Sequence, residues 1–422
     1  MKIHNNQWIL KIILFFIISI GMIDSILNIL VPNIVRILLC CVCFAVLLIF
    51  SINWGKIKFY NFDILLLLII LFFCINNRAI KTFNSFYFLR YFLLFLLLFI
   101  SRNIKHFPNY VFKIFIPLCL IHIFSTLWLS VDSWTYTNII VNFFGEERKE
   151  VLLDHYNRGW IPGLANHYSS NGMYLSVSTI IFSVLFFNSS SKNKTFQLIL
   201  FILSIIALLL TGKRAHFIFS IFSIFVIYYF SSKIKRGKMI YIICSLFICV
   251  LVTLLGYTLV PRLFSFIDRF KDTISSGDVT MGRIDTWKVA YSVFRNNAFF
   301  GIGWNEFSSI APFYNVTINV HNVYLQLLCE VGIFGAIAYF SLFIWALFLT
   351  IKCIKYINNK KIICNIKPLI FSLGIQSFFI LYCFTGNPLY DAPMFIPYYL
   401  SIAISIYYYV NFINNRKEKI YG

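Results

Sequence analysis

Carboxylates are scarce in this chain: 15 Asp and Glu stand against 36 Lys and Arg in 422 residues. Charged residues make up 12% of the sequence and hydrophobic ones 60%. A soluble domain carries roughly a quarter charged and half apolar residues, so this balance excludes one and points to a polytopic membrane protein. No Gly/Ser/Pro-rich linker or charge block sets off a soluble unit, and residues 1–422 read as a single membrane domain. No Asp-x-Asp pair lies in a cytoplasmic loop, which argues against metal-dependent transfer from a nucleotide sugar. The 11 cysteines, among them Cys40, Cys41, Cys43, Cys74, Cys119, Cys244 and Cys383, fall nearly all inside apolar runs. There they serve as small buried apolar residues, and neither a disulfide framework nor a structural metal is expected.

Apolar runs of roughly the 20 residues that cross a hydrocarbon core recur along the whole chain. They cover 8–30, 33–53, 62–76, 83–101, 109–130, 167–187, 195–211, 214–231, 239–260, 321–350, 368–385 and 394–413. The fold expected is therefore all-α, with about 12 transmembrane helices. The first run has no small-residue cleavage site and is expected to be retained.

The net charge of +21 suggests nucleic acid until its distribution is considered. Lys2/Lys11, Lys56/Lys58, Arg102/Lys105, Lys192/Lys194, Lys233 to Lys238, Lys352 to Lys367 and Arg416 to Lys419 mark alternate ends of these runs. By the positive-inside rule both termini are cytoplasmic, and the charge reports topology, with no nucleic acid partner.

Two segments depart from short-loop topology: a first external loop at 131–166, and a long external loop at 261–320 between spans nine and ten. In the first, the mixed charges of Glu146 to Asp154 suit a solvated helix or turn. Trp160, His167 and Tyr168, with Asn171, then stand at the entry to the next span. Aromatic faces beside hydrogen-bonding groups suit a sugar, but Trp and Tyr also gather at any membrane interface.

The second loop predicts an amphipathic helix, with Asp285, Lys288, Ser292 and Arg295 on its wet face and Ile284, Trp287, Tyr291 and Phe294 on the other. Arg283 projects with the apolar side, where a guanidinium needs an anionic partner or ligand. Gly301-Ile302-Gly303-Trp304 reads as a tight turn and no nucleotide loop. His321 follows at the mouth of the tenth span, on one helical face with Leu325, Leu328 and Gly332. Gly332 and Gly335 would let that helix approach a neighbour. A single histidine at a helix start is more often a cap or interface residue than a catalyst. Glu330 lies roughly 13 Å deeper along the helix and needs a partner there.

The hairpin Thr211-Gly212-Lys213-Arg214-Ala215-His216 puts two cations on the side where positive charge is unusual. Arg214 can grip a phosphate through paired donors, whereas snorkelling to lipid headgroups explains Lys213 better than Arg214. Arg90, inside the fourth span, is another buried cation needing a partner. Arg262 and Arg269 suit phosphate or headgroups equally. Arg214, Arg283 and His321, with Arg90 below, define one outward-facing site. Two arginines suit a leaving diphosphate and a histidine of near-neutral pKa suits a sugar hydroxyl's proton.

TGKRAH at 211–216, GRIDTWKVAYSVFRNNAFFGIGWNEF at 282–307 and HNVYLQLLCEVGIFGAI at 321–337 together resemble the O-antigen ligase/polymerase superfamily. The departure is Lys213, where that family commonly has Ser. The resemblance implies a membrane fold of the GT-C type, without cofactor or metal. It implies inverting transfer of glycan from undecaprenyl diphosphate at the external face of the bacterial cytoplasmic membrane, as in O-antigen, capsule or exopolysaccharide assembly. Arg214 and Arg283 match diphosphate-binding arginines and His321 the acceptor-activating base, while Arg90 is a further diphosphate candidate. His167, Trp160, Tyr168, Asn322, Arg262 and Arg269 are candidate substrate contacts. Partners implied are the lipid-linked oligosaccharide, membrane lipids, a chain-length regulator and a flippase. A repeat-unit polymerase is the leading expectation and a ligase acting on lipid A-core or another anchor the second. A flippase for lipid-linked sugar expects midplane polar groups, broken helices and two related halves, and no repeat is evident.

Overall fold

The computed structural model describes residues 7–32, 60–75, 85–189, 193–231, 283–316 and 319–414, with scattered positions between 35 and 45 and at 271 and 275. The described helices are α1 (Gln7–Met22), α2 (Asp24–Leu30), α3 (Asn61–Ile75), α4 (Ser85–Ser101), α5 (Phe107–Val131), α6 (Glu146–Asn157), α7 (Tyr168–Phe187), α8 (Lys194–Leu210), α9 (Arg214–Ser231), α10 (Arg283–Asn296), α11 (Val323–Asn359), α12 (Lys367–Tyr382) and α13 (Ala392–Tyr408). No strand occurs among the described residues.

Five helices are long and apolar enough to cross a membrane: α5, α7, α9, α11 and the stretch Ala392–Asn414. Shorter apolar helices lie at Lys11–Met22, Phe92–Ser101, Lys194–Leu210 and Lys367–Tyr382. The protein is thus an all-helical membrane protein. Nearly all of the expected run 33–53, and the whole of 239–260, lie outside the described residues. The run 8–30 is not one span, because the chain leaves helical geometry at Ile23 between α1 and α2.

Small residues decide which helices go to the centre. α7 carries Ser169, Ser170, Gly172, Ser176, Ser178, Thr179 and Ser183, and is among the most enclosed spans. Its hydroxyls donate back to its own carbonyls, Ser176 to Gly172 at 2.8 Å and Thr179 to Leu175 at 2.8 Å. The hydroxyls of Ser176, Ser178, Thr179 and Ser183 are thereby satisfied within the helix, and the backbone can approach its neighbours closely. α7 packs on α5, α8 and α9, while α12 lies between α9, α11 and α13. Farther along the bundle Asp63 of α3 and Arg102 just past α4 form a buried ion pair at 3.0 Å, with Arg102 also over the Tyr60 ring at 5.2 Å.

The loop segments have cores of their own. In 131–166, Tyr136 stacks on Tyr156 at 4.4 Å, and Tyr156 Oη donates to the Leu129 carbonyl at 2.8 Å. Leu152, Ile161 and Leu210 complete that cluster. The charged run 146–154 is helical and mostly solvated, as expected.

The amphipathic helix also forms, but its buried line is Thr286, Ala290 and Val293. Ile284 and Tyr291, on the apolar side, are exposed. Small side chains at 286 and 290 let α10 sit close to α11, and hydrophobic periodicity gives little weight to such residues.

α11 is two helices joined at Gly332, whose φ of 66° and ψ of −175° break the hydrogen-bond ladder. Three main-chain groups at the break find partners in the turn that precedes the helix. Ile302 N–H donates to the Cys329 carbonyl at 3.1 Å, Gly303 N–H to Glu330 at 2.9 Å, and Ile333 N–H to Ala298 at 2.8 Å. A Cβ on Gly301 would overlap the Glu330 carbonyl, and one on Gly332 the Phe299 carbonyl. Gly332 therefore meets this turn, where a neighbouring helix was expected. Gly335 faces Val331 of its own helix.

Candidate functional site

At one end of the bundle four pieces of chain meet: the 211–216 hairpin, the 155–168 stretch, the Arg283/His321 pair and the segment after α12. Gly212 turns the hairpin with φ of 65°, and the Trp160 ring lies against it so closely that a Cβ there would stand 2.6 Å from Cδ1. Ile161 N–H donates to the Leu210 carbonyl at 2.9 Å, which fixes the loop to the hairpin's first strand of chain. Asn171, fully buried, donates to the Ile161 carbonyl and to Thr126 Oγ1, both at 3.0 Å. Its role is to hold this loop.

The hairpin side chains face a ring of aromatics and imidazoles. Tyr168 lies 5.0 Å from Trp160, 4.5 Å from His155 and 4.4 Å from His167 between ring centroids. Lys213 Nζ sits 4.6 Å above the Tyr168 ring. Lys213 is half-buried in this cluster, so it does not simply snorkel. Arg214, also half-buried, opens α9 directly after it. His167 caps α7, its Nδ1 accepting from Ser169 N–H at 3.0 Å, which puts the proton of the neutral ring on Nε2.

His155, which no spacing rule singled out, joins this cluster from α6. Burial pushes its imidazole down to about 4; Asp154 acts against that shift, and the charges of Arg148, Lys213 and Arg158 reinforce it. Its signal in the sequence was weak, because a charged solvated helix around it hides one inward-facing residue.

His321 is not part of α11. It precedes the cap residue and has a left-handed φ of 50°, so its side-chain direction follows from that turn and not from a helical face. The turn is held because Trp287 Nε1 donates to the Val320 carbonyl at 2.8 Å. Asn322 is the cap, its Oδ1 accepting from Leu325 N–H at 3.1 Å. That oxygen serves the helix end. Burial, then the charge of Arg283, then that of Lys213, bring the His321 imidazole down to about 4. Burial above all therefore corrects the near-neutral value expected from sequence.

Arg283 begins α10 half-buried and donates through Nη1 to the Thr385 carbonyl at 3.1 Å. This contact introduces a wall the sequence did not indicate, Tyr382 to Asp391. The Tyr382 ring packs, tilted, against His216 of the hairpin with centroids 4.5 Å apart. Thr385 Oγ1, Asn387 Oδ1 and both ring nitrogens of His216 are buried with no hydrogen-bond partner among the described residues. Arg90 lies on α4, with its side chain outside the described residues, and Arg262 and Arg269 also lie outside them.

Glu330 belongs to the support of the site. Its carboxylate accepts from Asn305 N–H at 2.9 Å, Gln326 Nε2 at 2.9 Å and Tyr390 Oη. Trp304 stacks on Tyr390 at 5.1 Å, closing the turn over the break in α11.

An all-helical membrane protein with cations, imidazoles and aromatic rings gathered at one end is the class these features define. Residues 199–340 match the family model described as O-antigen ligase, which supports placement in the O-antigen ligase/polymerase superfamily. The matched stretch contains the hairpin, α10 and the His321 turn. No curated protein matches the chain.

Proposed function

We propose that this chain is a membrane glycosyltransferase that polymerises repeat units carried on undecaprenyl diphosphate. The reading is supported above all by the match of residues 199–340, which take in the hairpin with Arg214, Arg283 and His321, to the family model described as O-antigen ligase. Arg283 and Arg214, with Arg90 as a further candidate, neutralise the donor diphosphate. His321 takes the proton of the acceptor sugar hydroxyl as its oxygen attacks the anomeric carbon. The bond from that carbon to the diphosphate oxygen breaks, and the lipid diphosphate leaves with the electron pair. Attack opposite the leaving group inverts the linkage. Arginines perform the charge stabilisation that a metal would otherwise supply. Trp160, Tyr168, His167 and His155 offer ring faces and an imidazole N–H to sugar. The site faces outward from a bacterial cytoplasmic membrane, with both termini inside.

Ligase-type transfer of finished glycan to an anchor is the second reading, in keeping with the matching family, O-antigen ligase. A flippase is disfavoured, because in the span broken at Gly332 the Cys329 and Glu330 carbonyls accept from the 298–305 turn. Purified protein incubated with lipid-linked repeat units alone decides between the first two. A ladder of products is expected; product only after a separate acceptor is added would establish the ligase, and no covalent change at all would remove both.

A further inference from the structure

The mouth of α11 and the end of α12 supply partners for each other's main-chain groups. A helix leaves its first N–H groups and its last carbonyls without partners of its own. Val323 N–H, in the first turn of α11, donates to the carbonyl of Cys383, the cap of α12, at 2.8 Å. Tyr324 Oη, one residue on, donates to the Ile380 carbonyl at 2.9 Å, and its ring packs against Phe384 with centroids 4.6 Å apart. Arg283 donates to a third carbonyl of this end, that of Thr385, at 3.1 Å. A cation suits the place, because the carbonyl end of a helix carries partial negative charge.

α10 closes the circuit. Arg283 and Trp287 stand at i and i+4 and so share one face of that helix. Arg283 reaches the end of α12, while Trp287 Nε1 donates to the Val320 carbonyl, which belongs to the peptide bond preceding His321. The contacts therefore run from Arg283 to Trp287, on to Val320, through His321 to Val323, across to Cys383, and by Thr385 back to Arg283. His321 is pinned on both sides, and its left-handed φ of 50° is held from outside the turn. The hairpin joins at the same end, since Tyr382 packs against His216, which follows Arg214 in α9.

We propose that this closed circuit fixes His321 relative to Arg283, and that Trp287 and Tyr324 are positioning residues for the transfer. The inference rests on the reaction proposed above. The base must meet the acceptor hydroxyl while the arginine holds the diphosphate, and misplacing a reacting group by about 1 Å costs about a hundredfold in rate. Neither ring touches substrate in this account. Each acts through the backbone on one side of His321, Trp287 through Val320 and Tyr324 through the seat that also receives Val323.

The test is extension of lipid-linked repeat units in nanodiscs by Tyr324→Phe and Trp287→Phe, each alone and combined with His321→Ala. Tyr324→Phe removes one hydroxyl and keeps a ring against Phe384; Trp287→Phe removes the indole N–H. In each single variant kcat is expected to fall about tenfold to a hundredfold, with KM for the donor within about twofold of wild type. In His321→Ala protein the same substitutions should change the residual rate by less than about twofold, because the group they position is gone. An equal loss in both backgrounds, or a wild-type kcat in Tyr324→Phe, overturns the proposal; Tyr324→Phe decides alone where Trp287→Phe fails to fold. Exchange of the Val323 amide, followed by NMR, reads the circuit without turnover and is expected to quicken about tenfold or more in Tyr324→Phe. Unchanged exchange overturns the circuit whatever the turnover. Quickened exchange in a protein that never extends glycan would leave the circuit standing and remove the transferase reading.

Discussion

Gly303 donates its main-chain N–H to the carbonyl of Glu330 at 2.9 Å, across the point where Gly332 breaks α11. The same turn donates to Glu330 a second time, through Asn305 N–H to the carboxylate. One residue thus anchors the turn by both its main chain and its side chain. His321 lies one short step before the same helix, so the clamp sets where the helix mouth stands.

Gly301→Ala and Gly332→Ala are each expected to destabilise the protein by about 2 kcal/mol or more. Both residues have φ near 66–69°, and in both an added Cβ meets main chain that cannot move aside. Thermal unfolding in nanodiscs checks this, with Gly145→Ala as the comparison, since nothing lies within 4 Å of its added Cβ.

Glu330→Gln places an amide NH2 where a buried carboxylate oxygen now accepts, and is expected to cost about 1–3 kcal/mol. Glycan transfer in this variant should fall with the population of folded protein. A specific activity per folded molecule reduced a hundredfold would instead give Glu330 a part in the chemistry.

The hairpin and the aromatic loop are mechanically joined at Gly212 and Trp160. Gly212→Ala should therefore be less damaging in a Trp160→Ala background than in the wild type, with a coupling energy of about 0.5–3 kcal/mol. Unfolding free energies of the four proteins of the double-mutant cycle measure it. Purely additive effects would show that the ring does not brace the turn.

Acid should loosen this end of the molecule before the rest. His155 and His321 are held down to about 4 from an ordinary 6.5, chiefly by burial, so the folded protein binds fewer protons than the unfolded chain between those values. Their stabilising contribution is complete above about pH 6.5 and is lost as the pH falls toward 4. Hydrogen exchange of the 155–168 and 316–323 segments should accelerate over that window, and His155→Gln with His321→Gln should flatten the response.

Much of this was legible in the chain because membrane spans, turns and inward cations leave local signatures. The apolar runs located most helices, Gly301 and Gly303 marked the turn, and Arg283 stood out as a cation on an apolar side. What was not legible depends on contacts between distant segments. His155 and the wall from Tyr382 to Asp391 reach the site only through the fold. The buried face of α10 is set by Thr286 and Ala290, whose small size matters to packing yet adds little to hydrophobic periodicity. Gly332 read as a helix-packing residue because nothing local shows that the chain before it supplies the missing hydrogen bonds. The low basicity of His321 follows chiefly from burial, then from Arg283 and Lys213, and the burial is set by the fold and not by the local sequence.

The central claim is that His321 serves as the base in glycan transfer from a lipid diphosphate. The most direct measurement is extension of purified lipid-linked repeat units by reconstituted His321→Ala protein, with donor binding measured on the same sample. Loss of the product ladder by about 10²–10⁴-fold, with donor binding retained, is the predicted result. Wild-type extension by His321→Ala would contradict it.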